Sequence, residues 1–437
     1  MDQKLAQIVS LSQKDKGSAY QSLLADLFAN AASPHIAQDI HTLVDHLITH
    51  DPGIIIGRQI LSELVQILSG PAISNIEARK AVIEDVLAIV QPRLTTYEEQ
   101  INLLKLQLAD LLESEEDWSD AARVLMSMNL DASSRTTDEE KLRFYVRIVR
   151  LHLEEEESVQ AETYYNRAAS LIHSTNDKET LLAYKLCQAR ISDYNRKFIE
   201  AALRYHELSF VGEIDEEERQ HMLSAAVTCA VLAPAGPNRS RVLASLYRDE
   251  RTVELPSYNV LSKMFLDHIL RSAEINEFEK TLKPHQLAKV HLSANDRLAS
   301  AIDADDERPG PGEHISTRTG PATVLDRAVM EHNVLASSRI YNNITFRGLG
   351  ALLDLTPGAS ENMARKMIEQ GRLKGHVDQV DRLIWFETAR EEDDAQGKAG
   401  GLGDVSQDTE DTGAFLTKRW DTQIRTTASH VRPHSRT

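Results

Sequence analysis

Four histidines near the N-terminus come closest, by type and spacing, to a set of metal ligands. They are His35, His41, His46 and His50, with Asp45 and Asp51 beside them. His46 and His50 are one helical turn apart, so both rings could reach one metal ion. No second ligand-bearing segment completes a tetrahedral site, and histidines on the polar side of an amphipathic helix are the simpler interpretation. We therefore predict no metal site, no catalytic residue and no cofactor.

The motifs of the common enzyme classes are absent from the sequence. It contains no G-x-x-x-x-G-K-[ST] phosphate loop, no H-E-x-x-H or H-x-H metal motif, no C-x-x-C pair and no G-x-S-x-G nucleophile turn. The acidic runs Glu154–Glu157 and Asp215–Glu218 lie at predicted helix ends or turns, where a solvated edge explains them better than a cation site. These features favour a binding or structural protein over an ATPase, a metallopeptidase or a hydrolase.

The two cysteines, Cys187 and Cys229, each lie inside an apolar, helix-like stretch. Two thiols in a chain of this length cannot form a disulfide framework, so we expect buried thiols in a reducing compartment. The N-terminus lacks the basic flank and long apolar core of a signal peptide, and no apolar run approaches the ~20 residues of a membrane span. The sequence therefore predicts a protein of the cytoplasm and nucleus, without a membrane partner.

Acidic residues outnumber basic ones by 67 to 49, giving a net charge of −18 and a pI of about 5.4. A protein whose main partner is a phosphate backbone needs clustered Lys and Arg to release counterions. An acidic chain suits protein partners instead. Aromatic residues make up only 5% of a chain that is rich in Leu and Ala, and this composition favours helix-on-helix packing.

A 40-residue internal repeat is the strongest architectural signal. Each unit has a small residue, a Leu or Tyr four positions later, and large apolar residues ten and seventeen positions earlier. This pattern predicts two helices joined by a polar turn, with the small residue letting the two backbones approach closely. A helical pair cannot bury its apolar ridge alone, so we expect an α-solenoid of TPR-like helical hairpins. The repeated small residues are Ala121, Ala161 and Ala201.

Changes in composition divide the remainder of the chain. We assign the helical repeats to residues 1–208 and a further helical part to residues 209–292. Residues 293–322 are rich in Gly, Pro and Asp and have no apolar period, which predicts a disordered loop. A flexible acidic linker is predicted at residues 391–413, and a C-terminal helix at residues 414–432.

Residues 323–390 have the pattern of a winged-helix module. A strong helix is followed by a short strand, whose Thr345 is placed to cap the next helix. Thr356 and Pro357 form an N-cap and first-turn pair that opens another helix, which ends at Gly371. Two short strands about a polar turn then complete the order helix, strand, helix, helix, hairpin.

The apolar strand LIWF near the end of this module is the candidate partner-binding site. One face is expected to cover the module's own core, which leaves the other face and the strand edge for a neighbour's strand or an aromatic anchor. The C-terminal helix carries a short apolar stripe and is a candidate docking helix. The predicted partner-binding residues are Ile344, Leu383, Ile384, Trp385 and Phe386 at the winged-helix edge, and Leu416, Trp420 and Ile424 on the C-terminal helix.

Nucleic-acid binding is the alternative use of a winged helix. The basic residues on and after its second short helix are Arg365, Lys366, Arg372 and Lys374. From Leu325 to Glu387, however, eight basic residues face eight acidic ones. Binding to duplex DNA needs net positive charge and several phosphate contacts, so we expect a connector between protein subunits rather than a DNA reader.

Several long segments resemble the PCI-domain subunits of the COP9 signalosome, the proteasome lid and translation initiation factor complexes. They include RKFIEAALRYHELS, RSRVLASLYRDER, LKPHQ, LDRAVMEHNVLASSRIYNNITF and MIEQGRLKGHVDQVD. The resemblance runs from residue 1 to about 390 and favours the signalosome branch, with the proteasome lid as the alternative. It implies a PCI domain over residues 209–390, in which the winged helix forms the last part.

This resemblance implies a non-catalytic scaffold and substrate-sensing subunit. In such complexes the winged helix joins a horseshoe of PCI neighbours, the C-terminal helix enters a shared bundle, and the N-terminal arm reaches towards cullins. The assembly would remove a ubiquitin-like modifier from cullins and so regulate cullin-RING ubiquitin ligases. Its metallopeptidase would be another subunit, in agreement with the missing H-x-H motif. Compared with the family, the loop 293–322 and the linker 391–413 are long.

Overall fold

The computed structural model describes residues 2–9, 13–29, 35–50, 53–70, 75–128, 137–290, 316, 318–387, 420 and 423–424. These residues form helices and one small sheet, which confirms the predicted mainly α class. The chain divides into two compact units, residues 1–187 and 188–437. None of the described helices is both long and apolar enough to cross a membrane. The domain boundaries assigned above, including the one after residue 208, stay predictions.

The first unit is built of helices that pack on near neighbours in the chain. They are α1 (Asp2–Val9), α2 (Gln13–Ala29), α3 (Ile36–His50), α4 (Ile54–Ser69), α5 (Ile76–Val90), α6 (Glu98–Ser114), α7 (Trp118–Met126), α8 (Asp138–Glu154), α9 (Ser158–Leu171) and the first part of α10 (Lys178–Tyr194). In this unit α3 packs on α5, α6 on α7, and α8 on α9. A Cβ atom at Gly57 in α4 would lie 2.6 Å from the hydroxyl oxygen of Tyr97. The glycine therefore makes room for a tyrosine that is only 1% exposed.

The predicted 40-residue register recurs in the backbone of the turns between helices. Glu116, Glu156 and Arg196 have left-handed φ angles of 62°, 60° and 59°. In each turn the N–H of the following residue donates to the carbonyl oxygen five residues earlier, at 2.9, 2.9 and 2.8 Å. This closure is the Schellman motif, which ends a helix and reverses the chain. The small residues that open the next helices are all fully buried, namely Ala121, Ala161 and Ala201.

The second unit continues from the end of α10. Its next helices are α11 (Phe198–Leu208), α12 (Glu216–Leu232), α13 (Pro237–Arg248), α14 (Tyr258–Phe265) and α15 (Ser272–Glu279). The buried carboxylate of Asp193 ties three segments together, since it accepts hydrogen bonds from Gln286 Nε2 at 3.1 and 3.2 Å and from Cys229 Sγ at 3.5 Å. Both cysteines are buried free thiols, as predicted. Burial, followed by the charge of Asp193, raises the pKa of Cys229.

The winged-helix module has the predicted order of elements. They are α16 (Val324–Ile340), β1 (Asn343–Thr345), α17 (Phe346–Leu353), α18 (Pro357–Glu369), β2 (Gly375–Asp378) and β3 (Leu383–Phe386). The three strands form an antiparallel sheet in the order β1-β3-β2. Leu349 of α17, Met367 of α18 and Ile384 of β3 meet in one apolar core.

Capping residues fix the start and end of these short helices, as the sequence indicates. The hydroxyl of Thr345 accepts a hydrogen bond from the N–H of Gly348 at 3.0 Å, and that of Thr356 accepts one from Ala359 at 3.3 Å. Gly371 follows α18 with a φ of 67°. At Gly375 a Cβ atom would lie 2.2 Å from the carbonyl oxygen of Trp385, so only glycine lets β2 approach β3 there.

A segment that we call the strap, residues 318–322, leads into the module. The N–H of Thr356 donates to the carbonyl of Arg318 at 2.9 Å, and Arg318 forms an ion pair with Asp326. The N–H of Val290 donates to the carbonyl of Ala322 at 3.0 Å. The strap belongs to the end of the loop predicted over residues 293–322, but its main chain is held at both ends. The rest of that loop (apart from residue 316) and the linker 391–413 lie outside the described residues.

Candidate functional site

The strand LIWF lies in the middle of the winged-helix sheet. Ile384 of β3 is opposite Ile344 of β1 on one side and Val377 of β2 on the other. The main-chain groups of a central strand are used on both sides, so the expectation that this strand offers a free edge is wrong. The outer edges of the sheet belong to β1 and β2.

The side chains of β3 alternate between the core and the surface. Ile384 is 0% exposed and Phe386 is 7% exposed, and both belong to the apolar core of the module. Trp385 points the other way and is 38% exposed, while Leu383 and Ile344 are half-buried. Of the five residues predicted at the winged-helix edge, only Trp385 therefore presents an exposed side chain. Whether these residues bind a partner stays a prediction.

The outer face of the hairpin carries a small apolar and aromatic surface. The ring of Trp385 stacks on that of His376, its cross-strand partner, with centroids 6.2 Å apart and planes 10° from parallel. Val380, in the turn between β2 and β3, is 91% exposed. Val380 was not among the residues predicted from the sequence, although an apolar residue inside the polar turn DQVDR was the available signal. We call Val380, Trp385 and His376 the wing surface.

Only fragments of the predicted docking helix fall within the described residues. Trp420 and Ile424 are helical, with 52% and 66% of their surfaces exposed. Leu416 lies outside the described residues. The docking role of this helix therefore remains a prediction.

Three consecutive polar residues of α16 attach the winged helix to the helical part of the second unit. The carboxylate of Glu331 accepts a hydrogen bond from the N–H of Ala235 at 3.1 Å and forms an ion pair with Arg372. The side chain of Asn333 makes two hydrogen bonds to the main chain of Leu270, at 3.0 and 3.2 Å. The hydrogen bonds to Ala235 and Leu270 join α16 to segments that precede the winged helix, so the module is held by directional contacts.

His332, the middle residue of this triplet, is fully buried. Its Nε2 lies 2.8 Å from the carbonyl oxygen of His268, so Nε2 carries the proton and donates it to that oxygen. Its Nδ1 lies 3.5 Å from Nη2 of Arg239, a guanidinium that is also buried. Burial, followed by the charge of Arg239, lowers the pKa of His332 to about 4. Burial likewise lowers the pKa of Arg239 to about 10.

Basic residues considered for nucleic-acid binding make contacts within the second unit. Arg372 pairs with Glu331 and also lies 3.5 Å from the carbonyl of Ala235. Arg365 donates to the side-chain oxygen of Asn362 at 2.7 Å. These contacts give Arg372 a structural role, which agrees with the balanced charge of the module.

The N-terminal histidines do not form a metal cluster in the described part of the chain. Nowhere among those residues do three His, Cys, Asp or Glu side chains come together as ligands. The rings of His46 and His50 stack with centroids 4.2 Å apart, and Nδ1 of His46 lies 3.1 Å from the hydroxyl of the buried Tyr20. Burial lowers the pKa of His46. These contacts describe a half-buried histidine that packs against His50 and hydrogen-bonds to Tyr20.

Comparison with known proteins covers most of the chain. A family model described as PSMD12/CSN4, N-terminal, matches residues 3–217, and a PCI domain model matches residues 314–388. The COP9 signalosome complex subunit 4 of Drosophila melanogaster is 38% identical over 379 residues, which are 86% of this chain and 85% of that protein. The protein of the same name from Dictyostelium discoideum is 40% identical over 383 residues, 86% of each chain. That of Arabidopsis thaliana is 37% identical over 401 residues, 90% of this chain and 92% of the other.

Proposed function

The chain belongs to the COP9 signalosome subunit 4 family and is a non-catalytic PCI subunit of that complex. On this basis we propose how the subunit works in the complex. It acts as a scaffold and substrate-sensing subunit while the complex removes a ubiquitin-like modifier from cullins. In this way it helps to regulate cullin-RING ubiquitin ligases. The metalloprotease centre lies in another subunit, and the complex works in the cytoplasm and nucleus.

The exposure of the wing surface on a firmly attached sheet supports the scaffold role. Trp385 and Val380 are exposed apolar side chains on a small sheet, and exposed aromatic residues are favoured anchors at protein interfaces. The sheet is attached to the helical part through the buried triplet of Glu331, His332 and Asn333. A fixed sheet can hold neighbouring PCI subunits in one orientation, which a freely hinged module cannot do.

The partner contacts follow the corrected geometry of the sheet. Other PCI subunits bind at the wing surface and along the outer edges of β1 and β2, rather than along β3. The C-terminal helix, with Leu416, Trp420 and Ile424, docks into a bundle with the other subunits and the metallopeptidase subunit. The helical repeats provide the surface that meets cullins.

Affinity purification of the tagged full chain, followed by mass spectrometry, tests this proposal. Recovery of PCI subunits with a metallopeptidase subunit and cullins supports it. Recovery of proteasome lid subunits and ATPases would instead assign the chain to the proteasome lid, the alternative complex. A steep salt dependence of DNA binding by the purified chain would instead favour a nucleic-acid adaptor.

Two variants test the proposed contacts within that experiment. Trp385→Asp should reduce recovery of PCI neighbours, and deletion of residues 414–437 should reduce recovery of the complex as a whole. Val159→Asp is a matched control, because Val159 lies on α9 and is 76% exposed. Circular dichroism and the thermal midpoint show whether each variant folds. Unchanged recovery of every partner by both folded variants would refute the assigned contacts.

A further inference from the structure

One face of α11 exposes apolar side chains. Leu203 lies on α11 and Phe210 in the turn that continues it, seven residues or about two helical turns later, so both lie on the same side. They are 45% and 61% exposed. Val253, in the short 3-10 helix Glu250–Glu254, is 56% exposed and lies two residues from Arg251, which packs on Phe210. We call Leu203, Phe210 and Val253 the α11 surface, which shares no residue with the wing surface.

The ring of Phe210 is held in place although it is exposed. The guanidinium of Arg251 lies over the ring, 4.3 Å from its centroid, and the ring of His206 lies 4.9 Å away. Both neighbours are fixed by Asp249, whose carboxylate accepts hydrogen bonds from His206 Nε2 at 3.2 Å and from Nε and Nη2 of Arg251 at 3.0 and 2.7 Å. An aromatic side chain that is already ordered loses little conformational entropy when a partner binds, so Phe210 is a suitable anchor.

Unpaired carboxylates surround the α11 surface. Arg251 and Asp249 neutralise each other in their ion pair. Within three positions of the three apolar residues, four exposed glutamate side chains have no hydrogen-bond or ion-pair partner in the described part of the chain, against one such basic residue, Arg204. The surface is therefore complementary to a cationic partner. The four glutamates are Glu200, Glu207, Glu250 and Glu254.

We propose that the α11 surface binds a basic amphipathic helix of a partner protein. A helix lying along α11 meets apolar positions seven residues apart with apolar residues of its own at the same spacing. An arginine of the partner stacks on the side of the Phe210 ring that Arg251 leaves open, and its other basic side chains pair with Glu207 and Glu254. Arginine suits this position better than lysine, because a planar guanidinium both stacks on an aromatic ring and pairs with carboxylates.

Fluorescence polarisation with the full chain tests the proposal using four labelled peptides. GAARLAARLAARLAG repeats Arg and Leu every four residues, which places them along one side of a helix. GAAKLAAKLAAKLAG has Lys for Arg, GAAELAAELAAELAG reverses the charge, and GAARAAARAAARAAG lacks the Leu side chains. We expect the Arg and Leu peptide to bind with the highest affinity, about threefold more tightly than the Lys peptide. Added salt should weaken its binding, because the charged contacts are near the surface.

Variants of the chain give the sharper readout. Phe210→Leu keeps an apolar side chain but removes the aromatic face, so it should bind the Arg and Lys peptides with equal affinity. The double variant with Glu207→Lys and Glu254→Lys should bind the Arg and Leu peptide about fivefold more weakly and should now prefer the Glu peptide. The control is Glu277→Lys with Glu279→Lys, since both residues are exposed on α15, outside the α11 surface. Binding of the Glu peptide gained by the double variant cannot come from misfolding.

Three results would overturn the proposal. The first is equal binding of the Arg and Leu peptide and the Glu peptide, or no saturable binding of either. The second is an equal loss of affinity in the double variant and in the α15 control, which would show that only the overall charge of the chain matters. The third is self-association of the full chain in sedimentation equilibrium that Phe210→Asp abolishes, which would show that a second copy of this chain covers the surface.

Discussion

Acid should destabilise the second unit because His332 is buried in its neutral form. Its Nε2–H donates to the carbonyl of His268 at 2.8 Å, and Arg239 lies 3.5 Å from its other nitrogen. Burial of this ring, followed by the charge of the Arg239 guanidinium, disfavours the added proton, so the pKa of His332 falls to about 4 from the ordinary value of 6.5. The unfolded chain therefore takes up this proton before the folded chain does, and lower pH favours unfolding.

The two pKa values set both the pH window and the size of the effect. Above the pKa of this histidine in the unfolded chain, His332 is neutral in both states, so it does not change the free energy of unfolding. Between the two pKa values, each pH unit of acidification lowers the free energy of unfolding by about 1.4 kcal/mol. From pH 7.5 to pH 5.0 the free energy of unfolding should fall by about 2 kcal/mol through this residue. The loss levels off at about 3 kcal/mol once the pH is below the folded value.

Urea titrations of the full chain at the two pH values measure this loss. Trp385 reports on the second unit when Trp118→Phe and Trp420→Phe remove the other two tryptophans. The comparison is His332→Gln, because a glutamine amide can donate to His268 and accept from Arg239 but does not titrate. It should retain about 2 kcal/mol more of its stability than the parent chain on going to the lower pH.

His376→Gln is the matched control, because His376 is exposed and stacks on Trp385. Its pH dependence should match that of the parent chain. If His332→Gln loses as much stability as the parent chain, the buried neutral histidine is not the cause. If His376→Gln flattens the pH dependence by the same amount, burial of His332 is again not the cause.

Three further substitutions test the packing described above. Arg372→Ala should lower the free energy of unfolding by about 3 kcal/mol, because it leaves the buried carboxylate of Glu331 without its cationic partner. An unchanged urea midpoint would show that this ion pair does not stabilise the module. Gly57→Ala should lower the free energy of unfolding by about 1–3 kcal/mol, because the new Cβ atom meets the hydroxyl of Tyr97. Adding Tyr97→Phe to this variant should recover part of the lost thermal midpoint. Glu156→Gly should raise stability by about 0.5–1 kcal/mol, since glycine adopts its left-handed φ without strain, and a lower thermal midpoint would contradict this.

The parts of the fold that local chemistry determines could be predicted from the sequence. Thr345 and Thr356 are good N-cap residues, and Gly371 is a good helix terminator, so the boundaries of the short helices follow from residue types alone. The 40-residue register likewise repeats both the buried alanines and the turns between helices. The left-handed residues in those turns are Glu and Arg rather than Gly, so composition gave no signal for the Schellman closure.

Strand order could not be predicted in this way, because it depends on contacts between distant residues. Four consecutive apolar residues were interpreted as a strand with a free edge and face. A central strand can have the same run of apolar residues. Here β1 and β2 cover both edges of this strand. Val380 was overlooked because a single apolar residue in a turn produces no periodic pattern.

The buried triplet of α16 explains why the wing surface can serve as a connector. Three adjacent residues of one helix point in different directions, about 100° apart, so they reach separate partners. Glu331 reaches the N–H of Ala235, while His332 and Asn333 reach the main chain of His268 and Leu270. Three bonds in different directions fix the rotation of α16 about its axis as well as its position. The sheet that follows α16 then presents Trp385 at a defined angle, and loss of one bond should loosen that angle before it unfolds the module.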